Sequence, residues 1–456
     1  MKLAEFAAAI LLFLMIFKTS ACEILEVLPN PYGDDGREYV KVECSQNCTL
    51  TDHESTFNLS KGVHYIANNK TAFRQYYGFE PDFDGIRLSN SGEEVVLLCD
   101  SKAISFDWSE EYRDPGVVYF KTENGWDFRY EDWSSFKPES DFVKGRIIIT
   151  PAKYVLEGEG IVASYTVTRD SFRGDFEFIV DASPVGGLPS EEIALAKKYR
   201  FHFLEGSYRN FHYKFAVVGN RTVITTENWK WDNRGIIVEL YSSKFSRFLE
   251  KVFRNDLKYE TKPGRVSDVE GDYSEGKGKE LQFEGYVELH VLPDSNPVFD
   301  FIESSEGFLY IAVPYIDFEW FSDESPLLNA IINASEKHEV RVMLNDYDRN
   351  REVVEFLNSI PNVSARIVRS PEFDELHGKY LITEGKVLVT SANFNKYGLK
   401  LNREIAVVIE SQDVSEFMKE VFEGDWERRA EISPIVSLSL LGFTFLIAFY
   451  FVRRSI

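Results

Sequence analysis

The sequence predicts a multidomain protein: an N-terminal all-β sandwich, a two-lobed α/β domain and a C-terminal transmembrane helix. Three observations predict it. Residues 23–108 alternate apolar and polar in short runs broken by Gly, Pro and Asn, the pattern of small β-strands. From residue 283 onward, apolar strand-like runs alternate with helical stretches, which is the mark of a parallel-rich α/β sheet. Between and within these lies a repeated hairpin. His212 and Lys214 are followed by Asn228, and His377 and Lys379 by Asn393, with 16 positions from histidine to asparagine in both copies. At 456 residues the chain is long enough for two or three separate cores.

Residues 1–21 open with Met-Lys, pass through the apolar run AAAILLFLMIF and end in Thr19-Ser20-Ala21, the anatomy of a secretory signal peptide. Cleavage there leaves Cys22 at the new N-terminus. A lipid on Cys22 is the rival anchor, disfavoured because Thr19 rather than Leu stands three residues before it. All four cysteines, Cys22, Cys44, Cys48 and Cys99, fall in the first hundred residues. In a secreted chain they are disulfide candidates with three possible pairings. Metal binding is the alternative for Cys44 and Cys48, but no histidine or second cysteine pair stands at zinc spacing. Asn47, Asn58, Asn69, Asn220, Asn333 and Asn362 each begin a sequon and are glycosylation candidates.

Residues 22–108 form the predicted sandwich. The aromatic, acidic stretch 109–143 shows no clear period and is expected to be an ordered connector. The first lobe, 144–256, has strand-like runs RIIIT, IVASYTV, FEFIVD and YRFHFLE before its hairpin. The charged, Gly-rich stretch 257–282 reads as a linker. The second lobe, 283–430, runs strand, helix, strand, helix, strand, helix, strand and hairpin, closed by a helix from Val414. Residues 433–452 are mostly apolar and long enough for one span, and Arg453 and Arg454 follow. With a signal peptide in front, the positive-inside rule puts the body outside and the short C-terminus in the cytoplasm. A cleaved sorting signal shares this anatomy and stays open. The formal charge of −23 argues against a broad basic face that coats nucleic acid, and leaves room for a local basic cleft.

A histidine and a lysine two residues apart on a strand project to the same side. Two such pairs brought together give two imidazoles and two ammonium groups around one cavity, a site for a phosphodiester. A neutral histidine attacks phosphorus and a protonated one donates to the leaving oxygen, both tasks suiting a side chain that titrates near neutrality. The fixed cations stabilise the charge on the phosphoryl oxygens without a metal or other cofactor.

These stretches resemble the HKD motifs of the phospholipase D superfamily, and the resemblance, nearest to archaeal surface proteins of that group, covers roughly residues 144–426. In the second copy His377, Lys379, Ser391, Asn393 and Glu404 match; Glu384 stands where Asp is usual and Thr390 where Gly is usual. In the first copy His212, Lys214, Thr226 and Asn228 match, Asn233-Arg234-Gly235 follow, and Gly219 stands where the family has its acid. The helix expected between the second and third strands of the first lobe is reduced to RDSFRGD. The stretch 22–108 is similar to lamin-tail domains, immunoglobulin-like modules whose expected task is adhesion or positioning.

The resemblance implies a membrane-anchored extracellular phosphodiesterase that hydrolyses a phospholipid or nucleic acid through a phospho-histidine. His212 would be the nucleophile and His377 the acid, with the reverse assignment open. Lys214, Lys379, Asn228 and Asn393 would hold the phosphoryl oxygens, Glu404 would orient a histidine, and Thr226, Glu384 and Ser391 would support them. The alternative is a surface adhesion or ligand-binding protein that keeps the fold without turnover. Transfer of a phosphatidyl group to an alcohol would use the same residues.

Overall fold

The computed structural model describes residues 22–100, 102–108, 115–122, 125–267, 278–318 and 325–427. The expected signal peptide, 1–21, and the expected span, 433–452, lie outside the described residues. Among those residues no helix is long and apolar enough to cross a membrane. The chain divides after Trp133 into two compact units.

The N-terminal unit is built from two sheets. One has the order Gly125–Tyr130, Val117–Thr122, Glu23–Leu28, Tyr39–Cys44, Gly62–Ala67, Phe83–Asp84; the other runs Thr56–Leu59, Cys48–Thr51, Glu93–Cys99, Lys102–Trp108. Their inward side chains form one core, with Ile24, Val27, Val42 and Ile66 from the first sheet and Leu50, Val95, Leu97 and Phe106 from the second. The helix Lys70–Tyr77 starts where the Asn69 side chain accepts from the Thr71 and Ala72 N–H groups, and stops at Gly78 with φ +82°. Cys48 and Cys99 are joined as a disulfide. Cys22 and Cys44 are free and buried, with the Cys22 sulfur 3.4 Å from that of Cys48. All six sequon asparagines are exposed, and Asn220 occupies the turn of the first hairpin.

Within the stretch expected as a connector, 109–143, the described residues include three strands. Val117–Thr122 and Gly125–Tyr130 form a hairpin in the first sheet, and Glu139 already begins a strand of the second unit. The strands were hidden because Val117 and Val118 are both buried, which breaks the two-residue alternation.

The second unit is organised on one 15-stranded sheet. At its centre Glu139–Ile149 pairs antiparallel with Lys279–Leu292, from Glu139 opposite Leu289 to Ile149 opposite Lys279. Outward from the first of these run Ile236–Tyr241, Arg221–Thr225, Phe215–Val218, Leu156–Ser164, Phe172–Asp181 and Arg200–Leu204, with the two-residue Glu260–Thr261 as an extra edge. Outward from the second run Glu404–Glu410, Lys386–Thr390, Tyr380–Thr383, Phe308–Val313, Glu339–Asn345 and Val363–Val368. The two halves have the same strand order and the same parallel outer trio, so the repeat seen in the hairpins extends over the whole lobes.

The lobes therefore share a continuous sheet, and the stretch read as a linker ends in the strand that joins them, since Lys279–Gln282 already pair with Arg146–Ile149. Helices cover the halves unequally. The second half carries Val298–Glu303, Pro326–Ser335, Arg349–Leu357 and Gln412–Glu427; the first carries Ser190–Leu195 and Ser243–Asp256. Residues 165–171 of the first half form a loop with no helix, above a core rich in aromatics that includes Phe172, Phe176, Phe178, Trp229 and Trp231.

Candidate active site

Each hairpin delivers its polar residues by the same backbone device. Thr225 N–H donates to the Lys214 carbonyl at 3.0 Å, as Thr390 N–H does to Lys379 at 2.9 Å. Thr226 N–H then donates to the Ile236 carbonyl and its hydroxyl accepts from Ile236 N–H; Ser391 does the same with Ile405. These bonds make Ile236 the counterpart of Ile405, Arg234 of Arg403 and Gly235 of Glu404.

The halves are then clasped crosswise. His212 N–H donates to the Arg403 carbonyl at 2.8 Å, and Arg403 N–H donates to Asn210 at 2.8 Å. In the mirror arrangement His377 N–H donates to the Arg234 carbonyl at 3.0 Å, and Arg234 N–H donates to Glu375 at 2.8 Å. Both arginines are anchored from below. Arg403 forks onto Asp256 and reaches Asp294, while Arg234 pairs with Asp425. Asp256 ends the helix Ser243–Asp256 and Asp425 lies near the end of its counterpart, Gln412–Glu427.

The carboxylates follow the same exchange. His212 Nδ1 lies 2.7 Å from Glu404 Oε1, a carboxylate of the other half. His377 Nδ1 lies 3.1 Å from Glu227 Oε1, again across the halves. Each carboxylate is itself held, Glu404 by Asn402 Nδ2 at 3.0 Å and the Ser391 hydroxyl, Glu227 by Asn233 Nδ2 at 3.0 Å and the Thr226 hydroxyl at 3.3 Å. With Nδ1 facing a carboxylate in both rings, Nε2 of each histidine is the nitrogen with no carboxylate on it among the described residues.

Lys214 and Lys379 are fully buried, and each donates from Nζ to the carbonyl of its own histidine at 2.8 Å. Lys214 Nζ also sits 3.3 Å from both ring nitrogens of His212. Among the described residues neither lysine has a carboxylate within ion-pair distance. Asn228 and Asn393 follow on the two loops, half-buried, each with an unpartnered Oδ1. The Tyr165 ring packs tilted against His212, at 4.5 Å between centroids.

Burial and crowded charge dominate the titration of this cluster. Burial, reinforced by Lys214 and Lys379, pushes His212 down to about 4 against the pull of Glu404. Burial and the Lys379 charge likewise hold His377 below its ordinary range, against Glu227. Burial lowers Lys214 to about 7 and Lys379 to about 8. Burial works against ionisation of Glu227 and Glu404, and the nearby histidine and lysine charges outweigh it, so both carboxyls lie below the usual range. Burial and the two lysines thus disfavour the charged imidazole at His212, and the Glu404 contact at Nδ1 opposes them. Because each half's charges act on the other's histidine, the two copies form one site.

The structure thus brings His212, Lys214, His377, Lys379 and Glu404 together, with Thr226 and Ser391 as their supports. It does not bring Glu384 in. Glu384 is exposed in the turn at the far end of the strand Tyr380–Thr383. Its counterpart Gly219 holds the equivalent turn at φ +60°, a left-handed position suited to glycine. The missing acid of the first copy therefore leaves the cluster intact. Sequence reasoning missed Glu227, Arg234, Arg403, Asp256 and Asp425. The signal for Glu227 was a double difference between the copies, Thr-Glu-Asn with Gly235 against Ser-Ala-Asn with Glu404.

The fold and this cluster define a two-fold repeated α/β domain with paired histidines and lysines. Residues 298–426 match the family described as Cardiolipin synthase, PLD-like domain. Similar solved structures include NucT from Helicobacter pylori, at 19% identity over 31% of this chain and 95% of that one, with a TM-score of 0.27. Phosphatidylserine synthase from Haemophilus influenzae matches at 12% identity over 66% of this chain and 90% of that one, TM-score 0.42. Nuc from Salmonella typhimurium, described as a phospholipase D family member, matches at 20% identity over 31% and 93%, TM-score 0.27. No curated protein matches the chain.

Proposed function

We propose that this protein is a phosphodiesterase that works through a covalent phospho-histidine. The observation that carries the reading is the pair of histidines, each fixed through Nδ1 by a carboxylate, beside two buried lysines with no carboxylate at ion-pair distance among the described residues. Neutral His212 attacks phosphorus through Nε2, and His377 gives its proton to the departing oxygen as the P–O bond breaks. In the second step His377 takes a proton from water, the oxygen attacks phosphorus, and the P–N bond breaks to restore neutral His212. Lys214 and Lys379 stabilise the phosphoryl oxygens throughout, inside a site where burial strengthens their effect. An alcohol in place of that water would give group transfer.

The apolar stretches 1–21 and 433–452 and the Cys48–Cys99 disulfide support an extracellular, membrane-tethered setting. The lamin-tail-like pattern supports a positioning or adhesive role for the N-terminal unit. The test is turnover of a chromogenic phosphodiester, single-stranded DNA and a phospholipid in EDTA. Chelator-resistant activity on at least one substrate is expected. A folded protein inactive on all three would favour a surface binding protein that retains the fold.

A further inference from the structure

In the second half, Glu404 projects from the start of the strand Glu404–Glu410, directly after Asn402-Arg403. The matching sequence of the first half is Asn233-Arg234-Gly235, with no carboxylate. Its carboxylate comes from Glu227, eight residues earlier and two after Thr225, where the second half has Ala392. The backbone confirms that match, since Glu227 N–H donates to the Thr225 hydroxyl at 3.1 Å and Ala392 N–H to the Thr390 hydroxyl at 3.1 Å.

The two origins converge on one place. A Cβ on Gly235 would fall 2.1 Å from Glu227 Oε1, 2.6 Å from its Cδ and 2.7 Å from its Cγ. The Glu227 side chain therefore fills the volume into which a side chain at 235 would grow. Its clamps are also the counterparts of those on Glu404: Asn233 for Asn402, Thr226 for Ser391. Gly235 has no left-handed backbone angle that would require glycine. The absence of a side chain at 235 is thus explained by the room Glu227 takes.

We infer that Glu227 is a relocated positioning carboxylate: it replaces the one absent at 235, orients His377 through Nδ1, and is compatible with this chain only because residue 235 is glycine. The inference rests on the two-histidine reading above and adds to it that the two halves reach one geometry by different sequence routes. Positions 227 and 235 must then behave as a coupled pair, in which either can hold the carboxylate and both together crowd it.

The test is a cycle of Glu227→Ala, Gly235→Glu and the double variant in the full-length protein, with Glu227→Gln as a shape-preserving control. Two readouts are used, phosphodiester turnover and the titration of His377 followed by NMR of labelled histidine rings. Glu227→Ala and Glu227→Gln are expected to lower turnover about 10–100-fold, the usual scale for losing a group that orients a reacting side chain. They should also shift the His377 midpoint to lower pH, because a carboxylate that favours the protonated ring has gone. Gly235→Glu alone should be impaired by crowding, and the double variant should recover both the His377 midpoint and turnover. Failure of the double variant to recover the midpoint, or an unchanged midpoint in Glu227→Gln, overturns the inference. The midpoint is readable even in a protein with no turnover, so that result would contradict the phosphodiesterase reading while leaving the carboxylate exchange separately decided.

Discussion

Replacing His212 or His377 by alanine is expected to reduce turnover roughly 10⁴-fold, since one change removes the nucleophile and the other the proton donor. Neither should destabilise the protein strongly, because both rings sit at a site of crowded positive charge where their protonation is already disfavoured. The pH profile gives the sign. Attack needs neutral His212, so kcat/KM should rise with pH through the value near 4 to which that ring is held. Proton donation needs protonated His377, whose pKa is lowered, so kcat/KM should fall again below the ordinary histidine range of about 6.5. Loss of charge from Lys214 near 7 and Lys379 near 8 steepens that fall. The expected optimum is therefore acidic, and a kcat/KM profile flat from pH 5 to 9 would contradict the assignment.

The second large effect is on stability. Arg403 is fully buried, with Nε and Nη2 on the two oxygens of Asp256 at 2.9 and 3.2 Å and Nη1 on Asp294 at 3.1 Å. Arg403→Met leaves both carboxylates buried without their counter-charge, which costs about 3–5 kcal/mol. At about 2–4 °C per kcal/mol, Tm should drop by roughly 6–20 °C, measured by calorimetry. Arg403→Lys keeps the charge but not the planar fork and should fall between. Since the Arg403 backbone also holds His212, activity in the methionine variant should fall even below its new Tm. An unchanged Tm would mean that the clasp is not what holds the halves at this point.

Much of this site was legible in the chain because its pieces are local. A histidine and lysine two apart on a strand, repeated with an asparagine at the same spacing, survive as a pattern whatever the tertiary structure does. The supports that come from elsewhere were not legible. Arg234 and Arg403 act on the opposite half's histidine through backbone atoms, which no side-chain pattern records. Glu227 was obscured because its counterpart is Ala392, so a search by register looks for a carboxylate at 235 and finds Gly. Glu384 was drawn into the site by the family pattern, although a turn at the far end of a four-residue strand cannot reach His377. In the fold, helices and strands of the second half stood out by period. The strands Val117–Thr122 and Gly125–Tyr130 did not, because Val117 and Val118 are both buried and the aromatics Tyr119, Phe120, Trp126 and Tyr130 are half-buried on either face. The shared sheet was masked because its central strand Lys279–Leu292 begins in a charged run whose first residues are exposed.

The most direct measurement is to stop the reaction with alkali during turnover of an aryl phosphodiester and map the phosphorylated residue by mass spectrometry. Alkali preserves a phospho-histidine. The account predicts the adduct on His212, its absence in His212→Ala, and its persistence in Glu227→Gln. An adduct on His377, or sustained turnover with no histidine adduct, would contradict it.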